Sequence, residues 1–164
     1  MAGATFEHVA SSASVTRGAL HHHFRSKTSL LEAALAWGWS EYGARLFDEN
    51  DDASLEAPLL TFVDLLREDP LFRALAASTV LVAPQALDDA PTESTAKNVT
   101  LDSWRDQIAA TIPDTSELAP DAVARLVLVL LQGLTVTAVT RPRDLPQPGE
   151  LSATITALVR GLLT

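Results

Sequence analysis

Three consecutive histidines, His21, His22 and His23, lie between Arg17 and Lys27 in the stretch VTRGALHHHFRSKTSLLEAAL, residues 15–35. Imidazoles ligate metals, move protons or contact phosphates, and a run of them can also be an affinity tag. Successive side chains on a helix diverge by about 100°, so three adjacent histidines cannot converge on one ion, and none has a ligating partner four residues away. A metal site is therefore not expected. A run inside an amphipathic pattern and followed by Phe24 does not read as a terminal tag. His23 is expected to pack inward with Phe24, leaving His21 and His22 in solvent. The chain has no cysteine, no Gly-x-Ser-x-Gly elbow, no phosphate loop and no carboxylate pair on one apolar face. No enzyme and no cofactor are expected, and Asp48–Asp52 and Asp88–Asp89 read as solvated loop charges. A further reading is the end of a DNA-binding element.

Charge distribution fits that role better than charge sum. The 164-residue chain carries a formal charge of -9, yet residues 1–45 hold Arg17, Arg25, Lys27 and Arg45 against Glu7, Glu32 and Glu41, together with all four histidines. A neutral-to-basic head precedes a strongly acidic body. The 47% hydrophobic content is ample for a core. The most apolar run, LVLVLL at Leu126–Leu131, is bounded by Arg125 and Gln132, far short of the roughly 18 apolar residues a membrane span needs. The sequence predicts a soluble, cytoplasmic protein without a membrane partner.

The elements that must position the histidines are helical. Leu55, Leu59, Phe62, Val63 and Leu66 recur at the spacing of one helix face, and Leu151, Ile155, Leu158, Val159 and Leu162 repeat that spacing. Leu101, Trp104, Ile108 and Ile112 mark a further face, while Leu30, Leu31, Ala34, Trp37, Tyr42 and Leu46 mark a long helix beginning near Lys27. Proline and glycine punctuation separates them. The prediction is all-α: two very short helices before Phe24, then helices over about 27–48, 54–68, 70–82, 92–112, 120–140 and 149–163, with ends uncertain by a few residues.

The head parses as a helix-turn-helix. Thr5 can cap a first helix that buries Phe6 and Val9, Val15 fills the turn, and Thr16 can cap a second helix running through His22. Small or flexible residues in the first turn of the second helix, with Leu20 buried behind them, suit close approach to base edges.

The segment ATFEHVASSASVTRGALHHHFRSKTSLLEAAL resembles the helix-turn-helix of the TetR family of one-component bacterial repressors, in which a capped helix, a turn, a recognition helix ending in aromatic residues, His and Phe, and a Ser-Lys helix start follow in that order. The resemblance implies that Thr16, Arg17, Gly18 and Ala19 face the major groove of operator DNA, and that Thr5, His22 and Lys27 contact phosphates, with His21 on the same DNA-binding helix. Lys27 at a helix start has its own rationale as an anion contact, and Arg17 can pair with a guanine. The family usually has tyrosines where His21 and His22 stand, and glycine where the turn has Ser14. A left-handed Ser14 would cost on the order of 1 kcal/mol. The family's first helix should precede Thr5, where only Met1–Ala4 stand, so the expectation is a head without that helix.

The expected organisation is residues 1–45 as the DNA-binding head with the start of a connecting helix, and 46–164 as a helical regulatory domain resembling the family's in architecture. A small, largely apolar effector would sit among Phe62, Leu66, Phe72, Trp104, Ile108 and Leu131, oriented by polar groups such as Gln132 and Thr135, with Trp104 the foremost wall. The last two long helices carry more apolar surface than one core needs, and Leu126, Leu130, Gly133, Leu151, Ile155, Leu158 and Leu162 are expected to form a homodimer interface. The helix from Lys27 joins both halves and is the natural transmitter. Two functions follow: a ligand-responsive dimeric repressor, or a relative that does not bind DNA and keeps only ligand binding or dimerisation.

Overall fold

The computed structural model describes residues 5–48, 54–82, 96–113 and 116–163, the side chains of 48, 82 and 96–101 excepted. The expected loss of the family's first helix concerns Met1–Ala4, outside the described residues. In chain order the helices are α1 (Phe6–Ser12), α2 (Arg17–His23), α3 (Lys27–Gly43), α4 (Glu56–Glu68), α5 (Pro70–Ala77), α6 (Ala96–Ala110), α7 (Pro120–Thr140) and α8 (Pro148–Leu163), and no strand occurs among the described residues. Both α3 and α5 end in one π-helical turn, Ala44–Asp48 and Ser78–Val82. These turns bring the helical stretches to 48 and 82, as the apolar spacing predicts.

Local chemistry sets the boundaries. Asp69 ends α4 and caps α5, its Oδ1 accepting the backbone N–H groups of Leu71 at 2.9 Å and Phe72 at 3.1 Å, while Pro70 takes the first helical position, where its missing N–H costs nothing. Pro120 opens α7 in the same way. Ser26 and Ser29 cap α3 reciprocally, each hydroxyl accepting the other residue's N–H, at 3.0 and 3.1 Å.

The main core lies between α3, α4, α5, α6, α7 and α8. The predicted face of α4 is buried throughout, and Trp104, Ile108 and Ile112 are buried as well; the side chain of Leu101 lies outside the described residues. Six of the chain's aromatic rings meet here: Trp104 packs edge-on against Trp39, Phe47 and Phe62, and Phe72 against Trp39, Tyr42 and Phe62. Such edge-to-face contacts stabilise a pair by about 0.5–1.5 kcal/mol beyond the area they bury.

The face of α3 departs from expectation. Trp37 is 64% exposed, and the buried residues are Leu35, Gly38, Trp39, Tyr42 and, in the π turn, Leu46. The run ALAWGW is apolar all round, so its spacing does not choose a face; the crossing with α5 does. At Gly38 an added Cβ would stand 2.8 Å from Leu75 Cδ1, so the helices meet where one has no side chain. Two polar contacts fasten α3 to α5 on either side of this crossing. Trp39 Nε1 donates to Thr79 Oγ1 at 2.8 Å, and the Tyr42 hydroxyl donates to Asp69 Oδ2 at 2.7 Å. Burial first, and then the bond to Asp69, raises the Tyr42 pKa; that bond, helped by the Phe72 N–H, lowers the Asp69 pKa against the opposing effect of burial.

Helix α7 corrects the reading of the apolar run. Its 21 residues make it, by length and composition, apolar enough to cross a membrane, with a mean hydropathy of 2.0 over its most apolar window. LVLVLL continues on both sides through Val123, Ala124 and Leu134–Val139, and Arg125 alone does not interrupt it. One face, Val123, Ala124, Val127, Leu131, Thr135 and Ala138, is buried in the bundle.

Candidate nucleic-acid interface and effector cavity

The head is a separate small cluster: Phe6, Ala10 and Leu20 are buried, with Val9, Phe24 and Leu30 packed around them. Its geometry follows from three caps and one turn. Thr5 Oγ1 accepts the His8 N–H at 3.2 Å and Thr16 Oγ1 the Ala19 N–H at 3.1 Å, which fixes where α1 and α2 begin. Between them Ser14 has φ 55, the left-handed conformation expected where the resemblance supplies glycine. Val15 N–H returns to the Ala10 carbonyl at 3.0 Å and Ser14 N–H to the Ser11 carbonyl at 3.2 Å. This pair of bonds is the Schellman arrangement that closes a helix end.

Thr5, Thr16, Arg17, Gly18, Ala19, His21, His22 and Lys27 are all exposed. Leu20 and Phe24 define the inward side of α2, and at about 100° per residue His22 lies opposite them, flanked by Gly18 and Ala19. The resulting outward face is small next to the cap and bears an imidazole one turn on. His21 is stacked on the Phe6 ring, centroids 4.3 Å apart and planes at 20°, which ties α2 to α1. His23, expected inward, is exposed and meets His22 edge-on at 5.5 Å. Phe24 alone plugs the helix end, because one turn offers a single inward direction and Leu20 and Phe24 fill it. Arg25, which the sequence reading did not single out, is an exposed cation in the link to α3. No group of three or more His, Cys, Asp or Glu side chains suited to a metal exists among the described residues.

In the body, four of the eight expected effector contacts, Phe62, Trp104, Ile108 and Leu131, line one apolar cavity. The other four do not. Leu66 and Phe72 are fully buried packing residues, Gln132 points to solvent, and the Thr135 hydroxyl is spent on the Leu131 carbonyl at 2.9 Å. On α7, Leu131 and Thr135 are four residues apart and share the inner face, whereas Gln132 is rotated about 100° out of it. The reading missed Leu46 and Phe47, which enter the cavity from the π turn of α3. The turn re-aims that segment in a way no spacing reveals. The cavity holds about 10 Å³, room for at most one water, so a ligand enters only as these side chains part. A second apolar cleft of about 230 Å³ lies between α3 and α5, under Trp37, Leu71 and Leu75.

The seven expected dimer residues divide three ways, and Val129, Val139 and Gly161, which lie outside that expectation, join the exposed ones. Leu126 (52%), Val129 (63%), Val139 (41%) and Leu158 (36%) are exposed large apolar side chains, and an added Cβ at Gly133 or Gly161 meets nothing within 4 Å. Leu130 and Leu162 are half-buried. Leu151 and Ile155, expected at the interface, are buried instead. The stripe they form with Val159 is needed by the protomer itself, since α8 packs on α4 and Thr156 there bonds Glu56.

A capped helix-turn-helix carried by a helical body through one continuous helix is an arrangement that can present a helix to the major groove of DNA. Residues 1–34 match the model of the bacterial regulatory proteins, tetR family. The fold is similar to that of a protein assigned to the TetR-family transcriptional regulators from Rhodococcus sp., with TM-score 0.72 and 19% identity over 98% of this chain and 88% of that one. It is also similar to a transcriptional regulator from Rhodococcus sp. Rha1, with TM-score 0.73 and 23% identity over 98% of this chain and 86% of the other. No curated protein matches the chain. The match to the tetR-family model is confined to the head, and the fold around it is similar to that of these two proteins.

Proposed function

We propose that this regulator is a cytoplasmic homodimeric repressor that holds operator DNA through α2 and releases it when a small, largely apolar molecule opens the cavity beside Trp104. The observation that carries the reading is the exposed face of α2: Thr16, Arg17, Gly18, Ala19 and His22 are free for DNA while Leu20 anchors the helix from behind. Thr5 and Lys27, at the starts of α1 and α3, supply phosphate contacts. The exposed apolar side chains Leu126, Val129 and Val139 on the outer face of α7, with Leu158 of α8, support a twofold four-helix bundle. The effector would act by fitting the state in which the heads are misplaced, a coupling of typically about 1–3 kcal/mol.

A fluorescence-anisotropy titration against DNA from the protein's own promoter region, at two salt concentrations, tests it. Lys27→Ala should weaken binding to every sequence and lower the salt slope by about one, whereas Arg17→Ala should also relax base preference by about 1–3 kcal/mol. Equal behaviour of both variants and the parent refutes the reading. One observation favours a second reading, a relative that does not bind DNA: among the described residues the head's own core is Phe6, Ala10 and Leu20, with Val9, Phe24 and Leu30 around them, under two seven-residue helices, and helices that short are marginal alone. A well-folded dimer that binds no DNA would establish it.

A further inference from the structure

The head is poor in permanent charge and rich in imidazole. Between residues 5 and 32 stand three cations, Arg17, Arg25 and Lys27, two carboxylates, Glu7 and Glu32, and all four histidines of the chain. His8, His21, His22 and His23 are all exposed. The charged groups that the neighbouring elements bring are Glu7 and His8 from α1, and Lys27 and Glu32 from α3; Arg17 shares α2, and Arg25 stands in the link. Among the described residues no carboxylate forms an ion pair with any of the four histidines. Charge gained there on protonation is therefore presented to solvent rather than neutralised within the head. A neutral imidazole offers one N–H and no charge, whereas an imidazolium offers two donors and a unit charge, and side chains of this kind change state between about pH 5 and 8.

Resting on the DNA-binding reading above, we propose that His22, flanked by His21 and His23, contacts DNA phosphates as an imidazolium, so that proton uptake strengthens the head's hold on DNA. The geometry carries it. His22 is exposed at the middle of the outward face of α2, one turn beyond Gly18, which carries no side chain. Protonation of His21, His22 and His23 would take the head's cations from three to six, so half of its positive charge would come from protons. Arg17, Gly18 and Ala19, which the DNA-binding reading places against the bases, carry no imidazole, so acid should tighten binding without changing which sequence is preferred.

The test is an anisotropy titration of the full chain against a labelled random-sequence duplex at about pH 6 and about pH 8, each over a salt series, with helicity checked by circular dichroism in every buffer. The expected result is an affinity about tenfold higher at the lower pH, and a log-affinity against log-salt slope steeper by about 0.9 for each histidine that charges. His22→Asn should lose most of that rise and the triple change His21→Asn, His22→Asn, His23→Asn all of it, while Lys27→Ala binds more weakly but keeps the rise. If the triple variant loses helicity, His22→Asn and His22→Gln decide the matter. Binding that ignores pH, or a rise that survives in a fully helical triple variant, overturns the proposal and leaves DNA binding standing. No binding by folded protein at either pH overturns the DNA-binding reading and the proposal with it.

Discussion

Asp69 is the most heavily used side chain in the body, and removing it tests the account of how α3 is held. One carboxylate oxygen caps α5 through two backbone N–H groups, and the other accepts the Tyr42 hydroxyl from α3. Asp69→Ala deletes a helix cap, a loss of about 1 kcal/mol, and leaves a buried phenol without its charged acceptor, a further 1.5–3 kcal/mol or so. The Arg45 guanidinium, 3.7 Å away and about half exposed, adds little. The expected total is about 2–4 kcal/mol, which lowers the melting temperature of a domain this size by roughly 5–12 °C. Tyr42→Phe should cost about 1.5 kcal/mol, and the double variant should fall short of the sum by a similar amount, because the shared bond is lost only once. Urea unfolding at fixed protein concentration, followed by circular dichroism and by indole emission, measures all four species. Additivity within about 0.4 kcal/mol, or an Asp69→Ala loss below about 1 kcal/mol, would refute the bond's assigned role. The pH dependence has a defined sign. The folded carboxyl titrates below its ordinary value, so its contribution is complete above about pH 4 and is lost as pH falls through the lowered folded value. The folded Tyr42 phenol titrates above its ordinary value, so its contribution is complete below about pH 10 and is lost as pH rises through the raised folded value.

Other outcomes follow from single features. Ser14→Gly relieves a left-handed residue at φ 55 and should raise the head's resistance to thermal unfolding by up to about 1 kcal/mol, less the freedom glycine gains in the unfolded chain; a loss of stability would contradict the turn geometry. Val129→Asp with Leu126→Asp places charges on the exposed face of α7 and, if the proposed dimer forms there, should yield a monomer in light scattering while helicity is kept. Trp104→Ala removes a wall of the apolar cavity along with three edge-on ring contacts; it should cost about 3–5 kcal/mol in urea melts and enlarge the cavity enough for calorimetry to detect benzene binding.

What could be read from the sequence was what local chemistry determines. Thr5, Thr16 and Ser26 cap because of their own hydroxyls, Asp69-Pro70 breaks and restarts a helix by its own geometry, and the faces of α4 and α8 follow a clean helical period. The turn at Ser14 was legible because the head's order of residues is so specific. Trp37 and Trp39 were not separable, because both lie in a run without a polar face and only the approach of Leu75 at Gly38 selects between them. Gln132 and Thr135 look alike as polar residues on an apolar helix, and only the orientation of α7 turns one in and the other out. Leu151 and Ile155 could serve the protomer or a second copy equally well until α8 is seen against α4. Leu46 and Phe47 reach the cavity through a π turn, which leaves no mark in the spacing.

The Gly38–Leu75 crossing gives α3 a fulcrum. At 1.5 Å per residue, Lys27 lies about 16 Å to one side of it and Leu46, in the cavity wall, about 12 Å to the other. Were the helix to tilt about that point, a sideways displacement of 1 Å at the Leu46 end would emerge at Lys27 as roughly 1.4 Å in the opposite sense. The mechanical advantage is fixed by where the chain places its side-chain-free residue. Moving that glycine one turn toward the head would shorten the outer arm to about 10 Å and lengthen the inner one to about 18 Å, and the gearing would change from amplifying to attenuating.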